Sequence, residues 1–370
     1  MAVLKKIVVQ DFRNIVLQEL EFSPNINCIS GDNGTGKTNL LDAVWYLSMT
    51  KSSRGGSDRF SFRHGTGGFA LAGTYALSDG SSTRVSIRAG GSEPSSKQVR
   101  RDDKTVGRLS DHIGEIPVVM VSPADGALVS ESAEERRRFV NSVLSQMDRS
   151  YLFDVQKYNK LLSQRNAVLK DAVCPSSQML DVLEEMMGEC ATRIWEARRS
   201  FAARLEPQVE MFYHSISSGQ ERVGIEYRSD LDKGGLAAQL KESRNRDSAL
   251  RYTLAGVQRD DFLFTLDGYP IRKCGSQGQQ KSFLVALKFA QYELMKSDSG
   301  HAPILLLDDL FDKLDMTRVS NLLSMVASSD FGQIFITDSN KVRIRGIVDG
   351  ITADRAYFEA AGGAFSKIDE

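Results

Sequence analysis

Gly31-Asp32-Asn33-Gly34-Thr35-Gly36-Lys37-Thr38 sets glycines, a lysine and a hydroxyl in the spacing G-x-x-x-x-G-K-[ST]. Glycines let the backbone approach an anion closely, so successive amides of such a loop can wrap a phosphate. Lys37 would reach the β and γ phosphates of a nucleoside triphosphate, and the Thr38 hydroxyl would bind Mg2+. Downstream, Ile304-Leu305-Leu306-Leu307 is an apolar run that ends in the carboxylates of Asp308 and Asp309. Asp308 is placed to hold the Mg2+ shell through water, and Asp309 to polarise an attacking water. The chemistry implied is hydrolysis of ATP to ADP and phosphate, with ATP and Mg2+ as cofactors. Between these motifs lies Cys274-Gly275-Ser276-Gln277-Gly278-Gln279-Gln280-Lys281. There a serine and a glycine stand at the start of a helical pattern, where free amides and the positive dipole end suit an anion.

The elements that must position these residues are legible in the hydrophobic pattern. Ile26–Ser30 predicts a strand before the glycine loop, and Lys37 to Met49 has helical spacing after it. Earlier strands are expected from Leu4 to Phe12 and from Ile15 to Phe22, and residues 69 to 90 alternate like a hairpin turning at Asp79-Gly80. Gly90 to Ser96 predicts a loop. Val118 to Val121 predicts a short strand, as do Phe262 to Leu266 and Gln333 to Thr337. Ile304 to Leu307 is apolar throughout, as expected of a parallel strand covered on both faces. Helices are expected over Gln277 to Met295 and Val319 to Val326.

From residue 132 to about 218 the texture is helical. Ser132-Ala133-Glu134-Glu135 fits a capping box. Tyr151, Val155, Tyr158, Leu162 and Leu169 fall on one helical face, and Cys174-Pro175-Ser176-Ser177 is a break. Leu180, Met187, Ile194 and Phe201 then recur every heptad, with Leu183, Cys190 and Ala197 between them, a coiled-coil-like seam. An antiparallel hairpin follows, short because ~22 residues of helix reach only about 33 Å. Pro207 is expected to end or kink its second helix. The expected fold is therefore α/β, a P-loop ATPase head (lobe I) assembled from residues 1–125 and 250–370. A helical insertion (lobe II) spans 126–249 and carries the short arm over about 149–206.

Composition narrows the class. The 370 residues are 41% hydrophobic and 26% charged with a formal net charge of −1, an ordinary balance for a globular chain. Any nucleic-acid surface must be a local patch. No apolar run approaches the ~20 residues of a membrane span, and the N-terminus does not read as a signal peptide, so a cytoplasmic protein without membrane association is expected. Cys28, Cys174, Cys190 and Cys274 stand far apart, which fits a reducing compartment.

The Ser276–Gln279 stretch resembles the ABC signature, in which Ser276, Gln277, Gly278 and Gln279 would grip the γ-phosphate held by a second subunit. That implies a homodimer formed with ATP. Phe311-Asp312-Lys313-Leu314-Asp315 looks like the D-loop, with Asp312 and Asp315 at the dimer interface. Thr337-Asp338 occupies the switch position, where many ABC proteins carry histidine. Over nearly the whole chain the motifs resemble those of the RecF family: Phe12-Arg13-Asn14 before the glycine loop, Ser122-Pro123-Ala124-Asp125, Glu135-Arg136-Arg137-Arg138-Phe139, and Gly256-Val257-Gln258-Arg259-Asp260-Asp261. Gln258 stands where that family usually has histidine.

The resemblance implies a slow ATPase used as a conformational switch in recombinational repair and replication-gap processing. Its ATP-driven dimer would clamp double-stranded, gapped or junction DNA and support recombinase loading with RecO and RecR. Candidate DNA contacts are Arg100 and Arg101, in a run with Lys104 and Arg108, and Arg193 and Arg198, in a run with Arg199 and Arg204. Each run reads equally as a solvated face. The alternative, an ATPase subunit of a membrane ABC transporter, is disfavoured by the short arm and the missing switch histidine.

Overall fold

The computed structural model describes residues 2–90, 97–170, 177–217, 221–310, 331–350 and 352–368. The chain divides into two compact units. Unit 1 comprises Met1–Asp125, Ser215–Gly219 and Lys288–Glu370, and unit 2 comprises Gly126–His214 and Gln220–Leu287. Residues 250–287, expected with the chain ends, thus group with the helical segment.

Unit 1 opens with β1 (Ala2–Phe12), β2 (Ile15–Glu21), β3 (Ile26–Ser30) and helix α1 (Lys37–Met49). β4 (Gly68–Leu77), β5 (Ser82–Gly90), β6 (Lys97–Arg101), β7 (Lys104–Thr105) and β8 (Val118–Val121) follow. Alternating apolar residues put β1, β2 and β4–β7 into an antiparallel sheet in the order β2-β1-β4-β5-β6-β7. The second sheet joins strands from both ends of the sequence, in the order β15-β14-β3-β13-β12-β8. Its late members are β12 (Ile304–Asp308), β13 (Ile334–Asp338), β14 (Arg355–Ala361) and β15 (Ala364–Ile368). β8, β12, β13, β3 and β14 run parallel, and β3, β8, β12 and β13 are buried along their whole length. Helix α1 packs on strands of both sheets, which is why Leu40, Leu41, Val44, Tyr46 and Leu47 leave it no wholly polar face. Gln333 joins the layers. Its side chain bonds both backbone groups of Leu4, at 2.7 and 2.8 Å, and the Ser23 carbonyl at 2.8 Å.

Unit 2 contains α2 (Ala127–Ser130), α3 (Ala133–Met147), α4 (Arg149–Lys170) and α5 (Ser177–Ser217). Next come β9 (Val223–Arg228), α6 (Leu236–Leu250), β10 (Asp261–Leu266), β11 (Tyr269–Pro270), α7 (Ile271–Cys274) and the start of α8 (Gln277–Ser299). β9, β10 and β11 form an antiparallel sheet. The arm is an antiparallel helix pair: Tyr151 meets Arg198, Asp154 meets Arg193 and Arg165 meets Glu184, so the later partner falls as the earlier one rises. Leu180, Leu183, Met187, Cys190, Ile194 and Phe201 are buried along the expected seam. At Ala197 the seam departs from the heptad: Ala197 is half-buried, and Arg198 takes the inward position. A straight helix drifts ~20° per heptad from a 3.5-residue repeat, so a strict count slips by one residue over several turns.

Local expectations fail at Ser132 and α4, and at Pro207 the expected end of the helix does not occur. Helix α5 does not end at Pro207 but continues to Ser217, with Leu205, Val209, Tyr213 and Ile216 buried on either side. Packing on both flanks outweighs the lost hydrogen bond. Ser132 is the N-cap of α3 but makes no side-chain cap bond, and Glu135 turns to Arg138. On α4 the buried line is Tyr151, Asp154, Tyr158, Leu161, Arg165 and Leu169, with Val155 and Leu162 only half-buried. The expected Gly90–Ser96 loop and Cys174–Ser177 break lie largely outside the described residues, and the Val319–Val326 helix entirely so.

Candidate functional site

The glycine loop runs from the end of β3 into α1. Gly34 and Gly36 have φ of 83° and 111°, the left-handed region that glycine enters without cost. A side chain at Gly36 would also collide with Asn14, whose amide lies 2.8 Å from an ideal Cβ there. Gly36 caps α1 without a side-chain hydrogen bond, and its carbonyl accepts the Asn39 amide at 2.9 Å and the Leu40 amide at 3.1 Å. Lys37 is 5% exposed, and its Nζ donates to the Gly31 carbonyl at 2.6 Å and the Asp32 carbonyl at 3.0 Å. The ammonium is thereby folded back over the loop. Thr35 closes the turn, with Oγ1 donating to the Asp32 carbonyl at 2.8 Å.

The acidic strand arrives beside the loop because β12 pairs with β13, which pairs with β3. Thr38 Oγ1 lies 2.9 and 2.8 Å from the oxygens of Asp308. Thr337 Oγ1 donates to Asp308 Oδ1 at 2.7 Å and accepts the Asp309 amide at 3.1 Å. Burial pushes the Asp308 carboxyl above its ordinary range, while hydrogen bonds from Thr337 and Thr38 and the charges of Arg54 and Lys37 pull it down. A hydroxyl and a buried carboxylate within hydrogen-bond reach form an all-oxygen donor pair suited to a hard divalent cation, whose charge would restore the ionised carboxylate. Asp309 has φ 45°, an uncommon conformation for a side-chain-bearing residue, at the point where the chain leaves the strand. Asp338 is buried at the end of β13, and its Oδ1 accepts the Asn340 amide at 2.8 Å.

Sequence reasoning assigned no role to several residues around this loop. Asn14, in the β1–β2 turn, donates to the Thr35 carbonyl at 3.2 Å and accepts from Asn39 at 2.8 Å. Gly363 N–H donates to the same carbonyl at 2.8 Å. Arg13 grips Asp42 of α1 at 3.0 and 2.9 Å and Ser52 at 2.8 Å, which ties the segment carrying Arg54 to the loop helix. Thr337 is set opposite Asp308 by strand register alone. The Phe12-Arg13-Asn14 motif and the Thr337-Asp338 switch position were the hints of these.

The signature stretch lies in unit 2. Ser276 and Gln277 are exposed, and Gly278 and Gln279 are half-buried. Ser276 and Gln279 cap each other: Gln279 N–H donates to Ser276 Oγ at 3.3 Å, and Ser276 N–H donates to Gln279 Oε1 at 2.7 Å. The Ser276 hydroxyl proton is left to donate outward. The expected D-loop acids Asp312 and Asp315 lie outside the described residues.

The basic candidates separate. Arg100 and Arg101 point to opposite faces of the antiparallel sheet, since Arg100 pairs with Ser86 and Arg101 with the buried Val85. Arg101 turns to Glu115 at 2.8 Å. Arg100 is exposed on the face that also bears Arg84 and Arg88, with Ala70, Ala72 and Ser86 as its floor. Arg198 is a correction: it is 3% exposed and ion-paired to Asp260 at 2.5 Å, so burial in the arm seam removes it from any DNA surface. Arg193 is half-exposed and held by both oxygens of Asp154 at 2.8 and 2.7 Å.

A family model described as an AAA domain matches residues 6–192. The DNA replication and repair protein RecF of Bacteroides fragilis is 42% identical, covering 100% of this chain and 99% of its own length. That of Phocaeicola vulgatus is 42% identical with the same coverage. A solved structure of the recombination mediator protein RecF with ATP, in the RecFOR pathway, is 28% identical with a TM-score of 0.89, covering 100% of this chain and 98% of that one. The Smc head domain of Pyrococcus furiosus, at 13% identity and a TM-score of 0.57, shares the fold. An ABC-type ATPase fold and matches running the length of both chains make this sequence a member of the RecF family of DNA replication and repair proteins.

Proposed function

We propose that this protein is an ATP-dependent DNA-binding protein of recombinational repair and replication-gap processing, in which ATP joins two copies of the chain into a clamp. The observation that carries the reading is the Thr38–Asp308–Thr337 cluster beside the glycine loop. In it, loop amides and Lys37 hold the β and γ phosphates, and Thr38 and Asp308 hold Mg2+. When bound, Mg2+ neutralises charge on the phosphate oxygens. Asp309 orients and polarises the attacking water. Ser276 and Gly278 of a second copy complete the γ-phosphate cage, so a triphosphate favours the closed dimer and hydrolysis reopens it. The hydrolysis is slow and serves as a switch.

DNA contacts fall to the open sheet face carrying Arg84, Arg88 and Arg100, and they read phosphate rather than sequence. RecR and RecO are the proposed partners, supported by the pathway named for the matched structures. Sedimentation with ATP and with ADP tests the shared site. Wild-type protein should dimerise with ATP alone. Lys37→Met should bind ATP about 10- to 100-fold more weakly and stay monomeric. Ser276→Arg should bind ATP normally and stay monomeric; a Ser276→Arg dimer as tight as wild type sinks the reading.

A further inference from the structure

One side chain governs the first turn of α8, and that side chain is itself held from behind. Gln279 uses its carbonyl end to accept the Ser276 amide. Its other end, Nε2, donates to Glu221 Oε1 at 2.6 Å. The second oxygen of Glu221 accepts the Tyr213 hydroxyl at 2.9 Å. Tyr213 is 0% exposed, near the C-terminal end of the arm helix α5. All of these residues belong to unit 2.

The two ends of a glutamine amide match in shape and are opposite in hydrogen bonding. A carboxylate only accepts, so Glu221 fixes which end of Gln279 faces it. Reversal would set the Gln279 carbonyl against the carboxylate and its NH2 against the Ser276 N–H, at the cost of both bonds. In the observed rotation Gln279 occupies the Ser276 amide and donates its own amide to Ser276 Oγ. The serine proton then faces outward. Gln279 also stands between the Glu221 charge and the helix start, where a carboxylate would otherwise repel a phosphate.

We propose that Glu221 is a positioning residue for the Ser276–Gly278 phosphate grip: buttressed by Tyr213, it orients Gln279 and through it the signature serine. The inference rests on the reading that this grip engages the triphosphate of a second copy. It also supplies a continuous path of hydrogen bonds from the base of the arm to the grip, so strain on α5 has a route to the dimer interface.

The test pairs two measurements on the full chain. Sedimentation equilibrium in saturating ATP gives the dimer constant, and fluorescent mant-ATP titration below that constant gives protomer affinity. Glu221→Ala should weaken the dimer about 10-fold and leave mant-ATP affinity within about 2-fold, because the glycine loop is untouched. Glu221→Gln should recover most of the loss, since its oxygen still accepts from Gln279 and its NH2 donates to Tyr213. Gln279→Glu, which sets two carboxylates face to face, should weaken the dimer at least as much as Glu221→Ala. Equal losses in Glu221→Ala and Glu221→Gln, or a wild-type dimer constant in Glu221→Ala or Gln279→Glu, overturn the inference. Ser276→Arg separates the two ideas. If it too dimerises normally, the shared site fails; if it alone stays monomeric, only the role of Glu221 fails.

Discussion

Asp309 sits in the left-handed region, directly after the buried Asp308. Asparagine tolerates that conformation nearly as well, so Asp309→Asn removes the charge and keeps the backbone. ATP binding and dimer formation should persist while turnover falls about 10²- to 10⁴-fold. Single-turnover hydrolysis at the wild-type rate would reassign the water-activating acid. His112 offers a second measurement. It is buried, its Nε2 lies 2.6 Å from the Leu47 carbonyl, and Nδ1 has no hydrogen-bond partner among the described residues. Burial lowers its pKa, with Arg101 adding to that effect while the Leu47 bond and Glu115 oppose it. A lowered folded-state pKa means the unfolded chain takes up the proton first. Stability from this group is complete above the ordinary histidine range and is lost as pH falls toward the folded pKa, by at most about 1.4 kcal/mol per pH unit. Urea unfolding at pH 7 and pH 5.5 should show that slope flattened in His112→Gln. At this scale the sequence displayed the lysine, the threonine and the acid pair, because their spacing is local. It named Thr337 and Asn14 within motifs but hid their contacts, which come from neighbours brought by sheet register and a distant turn.

The arm shows why an element's period says less than its partners do. The seam residues from Leu180 to Phe201 were legible, yet the chain also buries Arg165 between Glu184 at 2.9 Å and Asp247 at 2.7 Å. Arg244 binds the same Glu184 and, at 2.7 Å, Asp181, so α4, α5 and α6 are joined by one charge network. No hydrophobic count reveals a buried guanidinium, because its cost is offset only by partners far along the chain. Arg165→Ala would leave the buried Asp247 without a cation and Glu184 with Arg244 alone. A loss of about 3–5 kcal/mol is expected in the unfolding free energy of unit 2, followed by helical circular dichroism in denaturant. A change under 1 kcal/mol would mean that solvent reaches the network. Element ends fared better: the strand Val118–Val121 and the helix Lys37–Met49 fall where the pattern put them. Pro207 does not end its helix, because its effect depends on what packs to either side.

Across the whole molecule a net charge of −1 conceals an uneven surface. The open sheet face holds Arg84, Arg88 and Arg100, whereas Lys6 on the same side is paired with Glu19, and Arg101 and Arg198 are spent on pairs of their own. Replacing Arg84, Arg88 and Arg100 together with alanine should weaken binding to any duplex alike. The log–log salt slope should drop by about 0.9 for each DNA phosphate that the variant no longer neutralises. Titration of a fixed gapped duplex at several salt concentrations measures it, and an unchanged slope would move the DNA surface elsewhere. The fold class was legible because the strand–helix alternation brackets a helical insertion. The unit boundary was not, because residues 250–287 alternate like the head yet pack with the arm.

The central position of β3 in the parallel sheet has a further consequence, for biosynthesis. Its neighbours on either side, β13 and β14, are encoded some three hundred residues later, and the glycine loop leans on Ala360 and Gly363. The polypeptide emerging from the ribosome therefore carries an intact glycine-loop sequence long before it carries a working site. A nascent chain cannot set the glycine loop against Ala360 and Gly363 until the β14–β15 hairpin has been translated.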